Sequence, residues 1–304
     1  MTVVGDGDFR YELDETWPNI PEGWTLELCS DVAIDSRDRV FVFNRGIHTI
    51  AVFDAETGNF LTSWGEGNFK EPHGIYIGPD DSVYLTDRQA HVVTKHTPNG
   101  EILIEMGRRD YAQVTVDNHG NFGDPFCQPS GIALNDEGKM FVSDGYGNFR
   151  IHRFSASGEL EHSWGTPGMG PGEFSLPHNI GVDSRGRVFV ADRQNQRVQI
   201  FDQDGGFIAE WADDVRGPGD FFMQDEVVFL VEQGRPTGIT IRSRWRHRHP
   251  VARSREWHGG ATRHLAGLEG QHLRGRDRPA RPWPAHAQVR QDLILADVAR
   301  HTRA

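Results

Sequence analysis

The sequence is poor in cysteine and has no long apolar run. Among its 304 residues there are two cysteines, Cys29 and Cys127, which are too few for a disulfide framework. No stretch approaches the roughly 18 consecutive apolar residues of a membrane-spanning helix. The amino-terminal stretch MTVVGDGDFRYELDETW lacks the basic and apolar regions of a secretory signal. We therefore expect a cytoplasmic protein without a membrane partner.

Positive charge is also scarce in most of the chain. Residues 1–234 carry 39 acidic and 17 basic side chains, whereas residues 235–304 carry 5 acidic and 15 basic ones. The acidic first part argues against nucleic acid as a partner, because phosphates would be repelled. A basic end usually indicates an anionic surface as the partner, but the pattern of this end suggests a different explanation, given below.

The sequence is rich in one repeated unit. In residues 176–211, four short runs of β-branched and aromatic residues are separated by Gly/Asp turns, which is typical of antiparallel strands. A four-stranded meander of this length is one propeller blade. Equivalent units begin at Asp31, Pro72 and Pro129, and a fifth copy is predicted to begin at Gln224.

Repetition of this unit predicts the architecture. One blade cannot bury both faces of its sheet, whereas a closed ring of blades can, and closure removes exposed edges. At about 40–45 residues per blade, we predict an all-β, six-bladed β-propeller with about four and a half blades intact. We assign residues 1–27 to a lead-in, 28–242 to blades and 243–304 to an irregular Arg/His-rich tail. The repeated motifs Pro-x-Gly-Ile-x-x-Asp and Val-Phe-Val-x-Asp resemble the NHL repeat.

The strand pattern ends after Arg242. From Arg263 to Leu293, Trp283 is the only residue whose codon cannot begin with C or G, which is expected when a GC-rich gene is read out of frame. Back-translation of residues 262–277 with a one-base shift permits His-Ala-Ile-Trp-Leu-Asp-Ser-Arg-Gly-Asn-Ile-Tyr-Val, another blade opening. We interpret the tail as a frame-shifted segment that has replaced the ring-closing strands. The alternative is a disordered basic tail.

Two histidines hold the same place in their repeats. His73 and His178 each follow a proline at the start of an inner strand, and inner strands of a propeller begin at one end of the central channel. A histidine at a repeat position is often an ordinary surface or capping residue, but two such imidazoles indicate a metal. A third, supplied by the out-of-frame blade opening, would complete a catalytic zinc site with one open position.

The ends of the second strands carry further polar side chains. The aspartates there are typical of turn caps. Arg45 and Arg193 are either solvated strand ends or side chains that bind a carboxylate in a bidentate manner. Tyr146, two residues after the aspartate that ends the second strand of its repeat, is a candidate general base.

These residues make the chain similar to the peptidyl-α-hydroxyglycine α-amidating lyases, zinc-dependent propellers that split a peptidyl-hydroxyglycine into a peptide amide and glyoxylate. The matching segments are Ser30–Arg45, Glu71–Ile75, Phe126–Pro129, Phe141–Ile151, Leu176–His178 and Val190–Arg197. By this resemblance His73 and His178 bind zinc, and Tyr146 is the catalytic base. Arg45 and Arg193 hold a substrate, either a small molecule or a peptide, that ends in a carboxylate.

The resemblance also implies a structural calcium ion, bound by the backbone carbonyls of Val32 and Ile75. Two departures matter. Gly147 stands where the secreted animal enzymes have a cysteine, so Cys127 lacks that partner. The third zinc histidine is missing from this reading frame, so we expect this chain to be impaired. The alternative is a non-enzymatic NHL propeller that acts as a protein-interaction module. We expect a monomer in either case.

Overall fold

The computed structural model describes residues 2–6, 9–14, 16–112, 125–224, 227–234 and 238–243, and these form a β-propeller. A hairpin of β1 (Thr2–Asp6) and β2 (Phe9–Leu13) lies in the lead-in. Blade 1 has the strands β3 (Cys29–Ile34), β4 (Arg39–Asn44), β5 (Ile50–Asp54) and β6 (Phe60–Trp64). Blade 2 has β7 (Pro72–Ile77), β8 (Val83–Asp87), β9 (Val92–His96) and β10 (Ile102–Gly107).

Blade 3 has the strands β11 (Gly131–Leu134), β12 (Met140–Asp144), β13 (Arg150–Phe154) and β14 (Leu160–Trp164). The short parallel pair β15 (Thr166–Pro167) and β16 (Glu173–Phe174) follows. Blade 4 has β17 (Pro177–Val182), β18 (Val188–Asp192), β19 (Arg197–Phe201) and β20 (Phe207–Trp211). Blade 5 has three described strands, β21 (Pro218–Gln224), β22 (Val227–Glu232) and β23 (Gly238–Ser243).

The blades stack face to face through apolar side chains. Each blade is an antiparallel meander, and the inner strands contact one another in the order β3, β7, β11, β17 and β21. Fully buried aromatic rings fill the space between neighbouring sheets: Phe41 and Phe43 between blades 1 and 2, Phe126 and Phe154 between blades 2 and 3, and Phe141, Phe174 and Phe201 between blades 3 and 4. Burial of these faces supplies the main driving force for the ring.

The acidic residues that end the second strands of blades 2 to 5 fix the approach to the inner strand of the same blade. The carboxylate of Asp87 accepts backbone N–H bonds from Lys70 and Glu71, and the carboxylate of Asp192 accepts one from Ser175 at 2.9 Å. Asp144, in blade 3, receives the amide of Cys127 in the same way. In blade 5 Glu232 accepts the amide of Arg216. These side chains are buried caps of the segments that enter the inner strands.

The lead-in packs against blade 1. The indole Nε1 of Trp17 donates to the carbonyl of Ala55 at 3.1 Å, and the amide of Asn19 donates to the carbonyl of Gly58 at 2.9 Å. The ring of Trp24 stacks on His48 with centroids 3.3 Å apart. None of the described segments forms a helix with the length and apolar character needed to cross a bilayer.

The all-β propeller prediction is confirmed, and five blades are described. One boundary was wrong, since blade 5 begins at Pro218 and not at Gln224. The strand Pro218–Gln224 was missed because it lacks the Pro-x-Gly-Ile or Pro-x-Asn-Ile opening of blades 2, 3 and 4. The predicted sixth blade, its histidine and the frame change fall on residues 244–304, outside the described residues.

Candidate functional site

The two predicted histidines lie at β-bulges. In blade 4, Pro177 pairs with Asp192 and Asn179 pairs with Ala191, so His178 is an extra residue between them. The register of blade 2 shifts in the same way around His73. A bulge turns its extra side chain away from the ladder. Both imidazoles therefore project into one end of the central channel, here called the mouth, where they are buried.

Tyr146 reaches the mouth because glycines flank it. A Cβ added to Gly145 would lie 2.7 Å from the carbonyl carbon of Pro177, and one added to Gly147 would lie 2.8 Å from the Cβ of Cys127. Only a residue without a side chain fits such an approach. The chain of blade 3 can thus pass close to blade 4 and place the phenol between the two imidazoles.

The phenol oxygen of Tyr146 contacts both histidines. It lies 3.1 Å from Nε2 of His73 and 3.0 Å from Nε2 of His178. The Nδ1 atoms lie 2.7 Å from the carbonyl oxygens of Ser130 and Gly219, respectively. Carbonyl oxygens only accept, so each Nδ1 carries the ring proton and each Nε2 presents a lone pair. The phenol has one proton for two Nε2 atoms, which leaves one lone pair without a donor.

Burial keeps both imidazoles neutral. It lowers the pKa of His73 to about 4, and the positive charges of Arg45 and Arg88 act in the same direction. Burial, followed by the neighbouring His73 imidazole and the charge of Arg193, lowers the pKa of His178 well below its ordinary value. Neutral imidazole is the metal-binding form. Converging Nε2 lone pairs, oriented by carbonyls that hold Nδ1–H, suit a zinc ion.

The donor set for such an ion is small within the described ranges. There, no group of three or more His, Cys, Asp and Glu side chains is arranged to hold a metal. The described donors are His73, His178 and the oxygen of Tyr146. This set fits zinc in donor type, and a further protein ligand would have to come from outside the described residues.

Arginines surround the tyrosine. The guanidinium carbon of Arg193 lies 5.6 Å from the centre of the Tyr146 ring, and Nε of Arg45 donates to the carbonyl of Pro72, next to His73. Arg88, which was not among the predicted site residues, lies closer to the Tyr146 ring, with its guanidinium carbon 4.5 Å from the ring centre. Its signal was available, because Arg45, Arg88 and Arg193 each directly follow a second strand.

The predicted calcium ligands lie elsewhere in the channel. Val32 and Ile75 are buried on neighbouring inner strands, and their amides donate to the two carboxylate oxygens of Asp31 at 2.7 and 2.9 Å. A cavity of about 240 Å³ occupies the channel and is lined by the inner strands of all five described blades. Calcium binding through the carbonyls of Val32 and Ile75 stays a prediction.

Comparison with known proteins gives a consistent result. The NHL repeat family matches residues 126–154 and 174–201. The chain is 34% identical over 232 residues to peptidylglycine alpha-amidating monooxygenase of Rattus norvegicus, covering 65% of this chain and 23% of that protein. It is 35% identical to NHL repeat-containing protein 3 of Homo sapiens, covering 66% and 58%. It is 34% identical to peptidyl-alpha-hydroxyglycine alpha-amidating lyase 1 of Drosophila melanogaster, covering 58% and 33%.

The match is therefore partial on both sides. The chain spans about a quarter of the length of the amidating monooxygenase and less than two thirds of the other two relatives. Among solved structures, a chain of the nidogen/laminin complex has a TM-score of 0.55 at 14% identity, covering 76% of this chain and 84% of that one. This likeness concerns the fold alone.

Proposed function

We propose that this chain, an NHL-repeat β-propeller resembling the peptidyl-α-hydroxyglycine α-amidating lyases, is a zinc-dependent carbon–nitrogen lyase. Its reaction would cleave the N–Cα bond of a C-terminal α-hydroxyglycine to give an amide and glyoxylate. The observation that carries the proposal is the convergence of two proton-free Nε2 atoms, those of His73 and His178, on the phenol oxygen of Tyr146.

The buried imidazoles would hold the metal, with Nδ1 of each fixed by a main-chain carbonyl. When bound, zinc supplies a Lewis acid that lowers the pKa of an alcohol beside it. Tyr146, as the phenolate, accepts the proton of the substrate hydroxyl. The oxygen lone pair forms the aldehyde C=O of glyoxylate while the C–N bond breaks. The departing amide nitrogen takes back the proton from Tyr146, so the reaction is balanced without a further reactant.

Two arginines supply the positive charge that would bind the terminal carboxylate of the substrate. Arg45 lies beside His73 through its bond to the carbonyl of Pro72, and Arg193 lies against the ring of Tyr146. A guanidinium binds a carboxylate through two parallel hydrogen bonds. Arg45 and Arg193 would therefore hold the terminal carboxylate and orient the hydroxyl toward Tyr146. We also propose that the backbone carbonyls of Val32 and Ile75 bind a structural calcium ion.

We further propose that this particular chain is impaired. A zinc ion with two imidazole ligands is held less firmly than one with three. The third histidine predicted from the shifted reading frame is not encoded in this chain. A frame-restored chain should bind zinc more tightly and react faster.

A second candidate function is a non-enzymatic interaction module. Three large apolar side chains in loops are exposed: Leu28 at 61% and Ile47 at 79% in blade 1, and Met169 at 76% between blades 3 and 4. Exposed apolar side chains favour contact with a protein partner. Zinc content and glyoxylate release separate the two candidates, because an interaction module needs neither.

The experiment measures both quantities on the purified full chain supplied with an N-acyl-α-hydroxyglycine. The proposal predicts stoichiometric zinc and glyoxylate release that a chelator abolishes. Tyr146→Phe should bind zinc and release no glyoxylate above background. Tyr84→Phe, on the second strand of blade 2 where the ring packs against Lys95 and not against the histidines, should behave as the unaltered chain. Glyoxylate release that survives in Tyr146→Phe would remove this residue from the mechanism. No release from either the chain or its frame-restored form would refute the lyase function.

A further inference from the structure

Glu71 differs from its counterparts in the other blades. It directly precedes the inner strand of blade 2, and the residues at the same place are Leu28, Gln128, Leu176 and Gly217. Glu71 is thus the one carboxylate at this position in the five described blades. Its side chain is only 12% exposed, so contact with water does not explain why an acidic residue stands at this position.

The carboxylate of Glu71 holds Arg88. Its two oxygens lie 2.5 and 2.6 Å from Nη2 of Arg88, and one of them lies 3.6 Å from Nη2 of Arg45. The backbone adds a further connection, because the amide of Arg88 donates to the carbonyl of Glu71 at 3.0 Å. Two contacts to one carboxylate fix the orientation of a guanidinium. Arg88 is therefore held in place before any ligand arrives.

Arg88 in turn has an unused donor close to Tyr146. Its guanidinium carbon lies 4.5 Å from the centre of the Tyr146 ring. Its Nε is buried, and among the described residues this atom has no hydrogen-bond acceptor. A buried N–H without an acceptor is costly, so the arrangement is explained if a ligand oxygen completes it.

We infer that Glu71 is a positioning residue that holds Arg88 against Tyr146, where the Arg88 guanidinium binds an oxygen of the substrate carboxylate. The inference rests on the proposed function for the identity of the carboxylate. Arg88 thereby joins Arg45 and Arg193 as a side chain that binds the carboxylate. Glu71, which precedes Pro72 and His73, acts without itself contacting the ligand.

Charge alone predicts the opposite effect of removing Glu71. Without its negative charge the mouth becomes more positive, and an anion should bind more tightly. If Glu71 acts by positioning, its loss lets Arg88 leave the Tyr146 ring, and the anion binds more weakly. The sign of the change in affinity therefore separates the two explanations.

The test is titration of glyoxylate, and of its neutral methyl ester, into the full chain with and without added zinc. Glu71→Gln and Arg88→Gln should each weaken glyoxylate binding about tenfold, the loss of one charge-assisted contact, and reduce the preference for glyoxylate over the ester. Where turnover is measurable, KM should rise more than kcat falls. Glu161→Gln, which removes a comparable pair with Arg153 on the outside of blade 3, should change neither.

Zinc content and melting temperature show whether each variant is folded. Unchanged or tighter glyoxylate binding in folded Glu71→Gln would overturn the inference, as would the absence of glyoxylate binding to the unaltered chain. Arg88-dependent glyoxylate binding, with no turnover by either the chain or its frame-restored form, would support the inference while refuting the lyase proposal. Turnover with wild-type KM in Glu71→Gln would refute the inference alone.

Discussion

Blades 2 and 4 differ from blades 3 and 5 at one repeat position, the residue that enters the mouth just after the inner strand opens. In blades 2 and 4 this residue is a histidine, His73 or His178, and its side chain faces Tyr146. In blades 3 and 5 it is Ser130 or Gly219, and its main-chain carbonyl accepts the Nδ1–H of the histidine in the preceding blade. Alternate blades therefore supply the imidazole and the group that orients it.

The difference shows how a near-symmetric ring forms an asymmetric site. The backbone repeats, so carbonyls in equivalent places are available in every blade. Single side-chain choices then decide which blade contributes a ligand. Gly145 is a second example. Blade 3 has glycine where blades 1, 2 and 4 have arginine, and Tyr146 follows this glycine.

The largest effect is expected when the histidine of blade 4 is replaced by serine, the residue that blade 3 has at this position. His178→Ser should lower zinc affinity by at least about 100-fold, since even loss of an outer-sphere partner costs 10- to 100-fold. Zinc retained after dialysis measures the effect. His162→Ser, on the exposed outer strand of blade 3, is the matched control and should retain zinc. Full zinc in His178→Ser would exclude this histidine as a ligand.

A second change tests the close approach of blade 3 to blade 4. In Gly145→Ala the added Cβ meets the backbone of Pro177, so Tyr146 must shift. A displacement near 1 Å lowers turnover by up to about 100-fold, and glyoxylate release measures it. Gly238→Ala, where the new methyl group has no described atom within 4 Å, should leave turnover unchanged. Equal activity of the two variants would show that Tyr146 needs no such placement.

A smaller effect is expected at Ser130. Ser130→Ala removes the hydroxyl that bonds the carbonyl of Pro177 at 3.1 Å but keeps the main-chain carbonyl that receives His73. Unfolding free energy should fall by about 1 kcal/mol, the usual net value of one hydrogen bond, and zinc content should not change. Loss of zinc in a folded Ser130→Ala chain would transfer the orienting role to the hydroxyl.

The two cysteines, which lie at the approaches to the inner strands of blades 1 and 3, should differ in reactivity with no consequence for turnover. Burial, with a contribution from the charge of Asp144, raises the pKa of the Cys127 thiol to about 11. Since the thiolate is the reactive form, Cys127 stays protonated at pH 8 and should react slowly with iodoacetamide. Cys29, which is partly exposed, should react first. Mass spectrometry of labelled peptides shows the order, and faster labelling of Cys127 would contradict its burial.

Much of the fold was predictable, because strand alternation and Gly/Asp turns repeat in the sequence. The inner strand Pro218–Gln224 was missed because its residues, PGDFFMQ, do not share the motif. His73, His178 and Tyr146 were selected by position in the repeat. The carbonyls of Ser130 and Gly219 could not be selected, since main-chain atoms have no sequence signature. Arg88 was overlooked although it occupies the repeat position of Arg45 and Arg193.

The most direct test of the central claim is the zinc K-edge X-ray absorption spectrum of the full chain. We expect a zinc ion with at least two imidazole ligands, and one fewer imidazole in any zinc that His178→Ser retains. The spectrum of Tyr146→Phe should keep both imidazole ligands. A chain that binds no zinc when the metal is supplied, or a spectrum that His178→Ser does not change, would contradict the assignment of the metal to His73 and His178.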